Sequence, residues 1–185
     1  MSRIKTDKLV YTFILLVIGH LEITQLLLQN HSNINQPDIS NLTPLHLAAI
    51  EGYNDVVEIS IENGCDINAC DINHVNCSNA LHYACMQKVA HDNLLWISCY
   101  SRYHRKEHHY KEVGVLLLQN KCDANQEDTF GQIPLHIACE TCTSHRYLRL
   151  LTDIVKLLLD SGCDINKCDN SHRSPFLVAY EKKEY

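Results

Sequence analysis

Apolar residues along the chain come in short bursts at helical spacing, separated by polar turns. Between Asp55 and Glu62, the spacing of Val56, Val57, Ile59 and Ile61 predicts a helix that buries one face. Just before it, "LHLAA" (Leu45 to Ala49) predicts a shorter helix whose alanines let a neighbour approach closely. Near the N-terminus, "GHLEITQLLLQN" (Gly19 to Asn30) reads as an amphipathic helix. Thr43, Asn79 and Ser174 suit helix N-caps, and Pro44 and Pro175 suit the first helical position, whereas Ile133 is a poor cap. Gly64 and Gly162 fall where a helix end takes a left-handed residue. Asn41 and Gly131 suit turns that need positive φ, and His172 takes the same place in a turn it should weaken.

These elements recur. Asn35, Asn68, Asn125 and Asn166 close the phrases "SNIN", "CDIN", "CDAN" and "CDIN", spaced 33, 57 and 41 residues apart. Upstream stand "TPLHLAA" (Thr43 to Ala49), "NALHYAC" (Asn79 to Cys85) and "IPLHIAC" (Ile133 to Cys139), and a fourth variant, "SPFLVAY", runs from Ser174 to Tyr180. The spacing of 33 and these words, with "EGYNDVVEISIENGCDINACD", closely resemble the ankyrin repeat over nearly the whole chain.

That resemblance implies an all-α solenoid of about five units with short hairpin loops, forming a single domain over 1–185. The expected units are a cap over 6–35, repeats over 38–68, 71–125 and 128–166, and a terminal partial repeat over 169–185. The two longer spacings place inter-helix insertions near 88–108 and 143–150, with three further residues in the hairpin between Asp71 and Asn79. Both insertions should leave the same edge of the stack.

Composition narrows the partners. Hydrophobic residues make up 45% of 185 residues, ordinary for a soluble globular chain, and the formal charge of −6 offers no basic face for nucleic acid. No block of like charge and no Pro/Gly/Ser-rich linker divides the chain. From Leu9 to Ile18 only Thr12 is polar; the run resembles a signal-peptide core and is too short to span a bilayer. Asp7 and the absence of a small-x-small cleavage site argue against export. A monomer in the cytoplasm or nucleus, with no membrane partner and no cofactor, is therefore expected.

Ten cysteines and twelve histidines invite metal or redox readings. Yet Cys65, Cys122 and Cys163 stand where the ankyrin pattern usually has alanine, Cys85 and Cys139 replace the second alanine of an inner helix, and Cys70 and Cys168 precede a hairpin aspartate. Those positions want small side chains, so the cysteines should be reduced and structural. His46, His82 and His136 belong to the "LH" words, and the resemblance implies that each ring hydrogen-bonds turn backbone. His104 and His108 in "HRKEHHY", with Cys139, Cys142 and His145 in "CETCTSH", leave a metal- or redox-responsive module as an alternative. Neither cluster supplies four ligands, so no metal site is assigned, and no catalytic constellation is present.

The resemblance implies a non-enzymatic module that binds another protein as a scaffold, adaptor or inhibitor. No ligase-recruiting box fits after Tyr185, which favours the inhibitor or scaffold versions. Two surfaces compete. A concave row of Ile39, Leu42, Ile50, Met86 and Phe130 is expected to expose apolar groups where the fold needs none. The larger insertion carries Trp96, the only tryptophan, and Tyr100, both typical interface anchors. The resemblance also makes Asn166 a candidate for asparaginyl hydroxylation, with Leu158, Asp164 and Ile165 filling the preferred upstream places, whereas Ser60 breaks the pattern for Asn68.

Overall fold

The computed structural model describes residues 21–38, 41–71, 77–86, 109–141 and 148–182. Among them are eight helices and no strands: α1 (Leu21–Gln29), α2 (Pro44–Glu51), α3 (Asn54–Glu62), α4 (Ala80–Met86), α5 (Tyr110–Gln119), α6 (Pro134–Glu140), α7 (Leu148–Asp160) and α8 (Pro175–Lys182). The apolar run of residues 9–18 lies outside the described residues, as does nearly all of both insertions. No described helix is long and apolar enough to cross a membrane.

The helices stack in two rows. Within each pair the first helix packs on the second, α2 on α3, α4 on α5 and α6 on α7. Along the array, α2, α4, α6 and α8 pack in sequence as one row, and α1, α3, α5 and α7 as the other. One core cluster runs between the rows, from Leu45 and Val57 through Leu81, Val113 and Leu117 to Ile133, Ile154 and Leu158. The Asp55–Glu62 pattern does bury Val56, Val57 and Ile59, with Ile61 packed at the rim.

Small residues set the spacing of the first row. Ala48, Ala49, Ala80, Ala84, Cys85 and Ala138 are all buried in that cluster, which lets short helices approach closely. The helix ends follow one geometry. After α3, Gly64 at φ 74° donates to the Ile61 carbonyl and Cys65 N to the Ser60 carbonyl, at 3.0 Å each. After α5 the left-handed place is held by Lys121 at φ 68°, and after α1 by His31 at φ 61°. The sequence signal for those two ends is absent because neither residue is glycine or asparagine.

Candidate protein-binding surface

Each hairpin is organised by its aspartate. Asp38, Asp71, Asp128 and Asp169 donate from their backbone N to the carbonyls of Leu42, Ser78, Gln132 and Arg173, closing four loops. Their carboxylates accept from the same loops: Asp128 Oδ1 takes Phe130 N and Gln132 N, both at 2.8 Å, and Asp169 Oδ1 takes Ser171 N and Arg173 N. Burial pushes the Asp128 carboxyl above its ordinary value, against those hydrogen bonds. At Asp169 burial acts the same way, but the bonds from Arg173 and Ser171 outweigh it and hold the group below the usual carboxylate range. The fourth turn closes despite His172, which adopts φ 59° and donates its N to the Asp169 carbonyl at 2.9 Å.

The "LH" histidines tie each helix to the next hairpin, as the sequence implied. His46 Nδ1 accepts from Thr43 N at 3.1 Å, and its Nε2 reaches the Ala69 and Ser78 carbonyls at 3.0 and 3.2 Å. His82 Nδ1 lies 3.2 Å from Asn79 N, and its Nε2 donates to the Gln132 carbonyl at 3.1 Å. His136 links Ile133 N to the Arg173 carbonyl. Ile133, with no capping oxygen, thus has its amide satisfied by the ring three residues on. The rings are fully buried, and burial lowers His46 below its ordinary value and His82 to about 4.

The cysteines mostly fill core positions. Cys85, Cys122 and Cys163 are buried, and Cys65 and Cys139 pack half-buried against the same cluster. Burial pushes the Cys65 thiol up to about 11 and Cys122 to about 12, so neither is a ready nucleophile. Cys70 is also pushed up to about 11, chiefly by its hydrogen bond with Cys77 and then by burial. Among the described residues no group of three His, Cys, Asp or Glu side chains is placed to hold a metal. His104, His108, Cys142 and His145 lie outside the described residues.

The concave apolar row does not form as expected. Leu42 is 0% exposed and Ile50 3%; with Leu47 they make a second core cluster against Tyr83 of the neighbouring inner helix. Tyr83 is itself fixed, its hydroxyl donating to Asp71 and its ring standing edge-on to His46 at 5.7 Å. Leu42 and Ile50 are apolar because they cement one repeat to the next, so they leave the candidate surface. Met86 is half-buried against the main core. Ile39, Trp96 and Tyr100 lie outside the described residues.

Phe130 is different: it remains 49% exposed at the tip of its hairpin. Its backbone is held on both sides, N–H to Asp128 and carbonyl accepting from Asn170 N at 2.8 Å. Other large apolar side chains exposed among the described residues are concentrated in the last units, Leu159, Ile165, Phe176, Leu177 and Tyr180. Sequence reasoning missed those of α8, where Phe176 is 79% exposed.

The comparisons with known proteins agree with this geometry. The family described as ankyrin repeats (3 copies) matches residues 14–103 and 95–185. An ankyrin repeat protein of Fowlpox virus (strain NVSL) is 33% identical over 63 residues, which cover 34% of this chain and 11% of that relative. The chain therefore spans only a small part of that viral protein's length. Ankyrin repeats are generally modules for protein–protein interaction, typically without enzymatic activity. Paired helices in two rows, aspartate-closed hairpins, "LH" rings bridging successive units and a family match along nearly the whole sequence make this chain a member of the ankyrin-repeat family.

Proposed function

We propose that this array binds a partner protein through the hairpin edge of its later repeats, with Phe130 as the central anchor, and performs no catalysis. One observation carries the reading: an aromatic side chain is half exposed on a backbone that two hydrogen bonds already hold. An anchor fixed in advance loses little backbone entropy on binding, so most of its buried area converts into affinity. Phe130 lies outside both core clusters, and about half of its surface remains open to a partner. Such a module acts as a scaffold or an inhibitor that occupies its partner's surface, as a monomer in the cytoplasm or nucleus.

The insertion between α4 and α5 supports a second reading, because it holds Trp96 and Tyr100. The two readings separate cleanly. With a partner captured by proximity labelling, Phe130→Ala should weaken the complex about thirtyfold, the equivalent of about 2 kcal/mol, while shifting stability by only a few tenths. If Trp96→Ala abolishes binding and Phe130→Ala does little, the insertion is the interface. If Phe130→Ala unfolds the array, the side chain belongs to the core and the surface argument fails.

A further inference from the structure

One hairpin cysteine is left unexplained by the repeat. Cys70 has a counterpart in Cys168, but Cys77 stands where the other hairpins have Asn41, Gly131 and His172, and like them it is left-handed, at φ 49°. Cysteine gains nothing in that conformation, which favours glycine and asparagine. The hairpin is also the enlarged one: seven positions separate Cys70 from Cys77, where four separate Cys168 from His172. Nevertheless the two sulfurs lie 3.1 Å apart, both thiols free and half-buried.

The thiols do not hold themselves together. Next to them, Asp71 N donates to the Ser78 carbonyl at 3.2 Å, and Ser78 N donates to Asp71 Oδ1. His46 Nε2 reaches the Ala69 carbonyl, just before Cys70, and the Ser78 carbonyl, just after Cys77. Asp71 is further held by Tyr83. Both ends of the loop are thus clamped by backbone, carboxylate and imidazole contacts that do not involve sulfur, and the two side chains are brought together as a consequence.

We propose that Cys70 and Cys77 form a reversible dithiol–disulfide site that closes the enlarged hairpin, with a low-molecular-weight disulfide of the glutathione type as oxidant. The Cys77 thiolate attacks a sulfur of glutathione disulfide, forming a mixed disulfide and expelling one glutathione thiolate, which also removes the thiol hydrogen bond that chiefly raises Cys70. The Cys70 thiolate then attacks the cysteine sulfur of that mixed disulfide, expelling the second glutathione thiolate. Two protons pass from the cysteines to the two glutathiones, and the two electrons lost by the cysteines reduce the oxidant. Cys168 cannot complete the second step within its own hairpin, because His172 occupies the matching place.

The test uses the whole chain exposed to glutathione disulfide, then trapped by alkylation and cut on the N-terminal side of aspartate without reduction. That cleavage puts Cys70 in peptide 66–70 and Cys77 in peptide 71–91. The expected result is these two peptides joined through Cys70 and Cys77, while exposed Cys168 carries glutathione. Alkylation of Cys70 should slow by at least about tenfold on oxidation and recover with reduced glutathione. Cys77→Gly, which suits the left-handed place, should stay folded and leave Cys70 carrying glutathione. The proposal is overturned if Cys70 and Cys77 each end free or separately glutathionylated while Cys168 reacts, or if Cys70 links to Cys65 instead.

Discussion

Acid should loosen this array through its buried histidines, and His82 lets the effect be worked out. Its ring is fully buried, its Nδ1 lies 3.2 Å from Asn79 N and 2.7 Å from Asn79 Oδ1, and its Nε2 donates to Gln132 O in the next hairpin. A second ring proton would place a charge in the core, so burial lowers the group from 6.5 to about 4. The folded value lies below the unfolded one, so the unfolded chain binds the proton first and stability falls as pH drops from about 6.5 towards 4. For a shift of that size the loss between pH 7 and pH 5 is about 2 kcal/mol, approaching about 3 kcal/mol below pH 4. His46 is lowered by the same cause and adds to the loss in the same direction. Urea unfolding at pH 7 and pH 5 measures this, with His82→Gln as the comparison. The variant should be less stable at pH 7, having lost the ring's bridge, but its pH dependence should be shallower by about one bound proton. An unchanged pH dependence in His82→Gln would refute the reasoning and place the acid sensitivity in other groups.

The remaining predictions concern backbone, core and modification. At Gly131 an added Cβ would meet Asn170 Oδ1 at 2.6 Å and Asn170 N at 3.0 Å, at a φ of 72°, so Gly131→Ala should cost well over about 1 kcal/mol in thermal unfolding. At Gly162 nothing lies within 4 Å, so Gly162→Ala should cost only the left-handed penalty of about 1 kcal/mol; equal losses at both sites would disprove the clash. Cys65→Ala, Cys122→Ala and Cys163→Ala should each cost less than about 1.5 kcal/mol by denaturant titration, as near-isosteric core changes do. Asn68, Asn125 and Asn166 are all exposed, but Asn68 Oδ1 accepts from Asp123 N at 2.8 Å and Asn125 Oδ1 from Asp164 N at 2.7 Å, engaging the side chains of the earlier two with the next repeat. After co-expression with the asparaginyl hydroxylase of ankyrin repeats, peptide mass spectrometry should therefore show an added oxygen on Asn166 in preference to Asn68. Equal or no modification counts against the site.

Local chemistry made much of this protein legible from sequence. Helix-ending glycines, proline after threonine, alanine-lined inner helices and the "LH" rings each act within a few residues of themselves, so their consequences are written in short words. The recurrence of those words then implied the stack, since no single unit could bury its own apolar face. What escaped depended on distances between units. Leu42 and Ile50 occupy positions that look free along one repeat, and only the approach of Tyr83 from the next encloses them. Lys121 and His31 are left-handed because helix packing dictates where the chain turns, whatever residue stands there. Cys70 and Cys77, seven positions apart in an enlarged loop, meet because Asp71, Ser78 and a histidine from the preceding repeat clamp that loop's ends. Sequence decides what each segment does alone. The contacts between repeats decide which side chains face water and which sulfurs face each other.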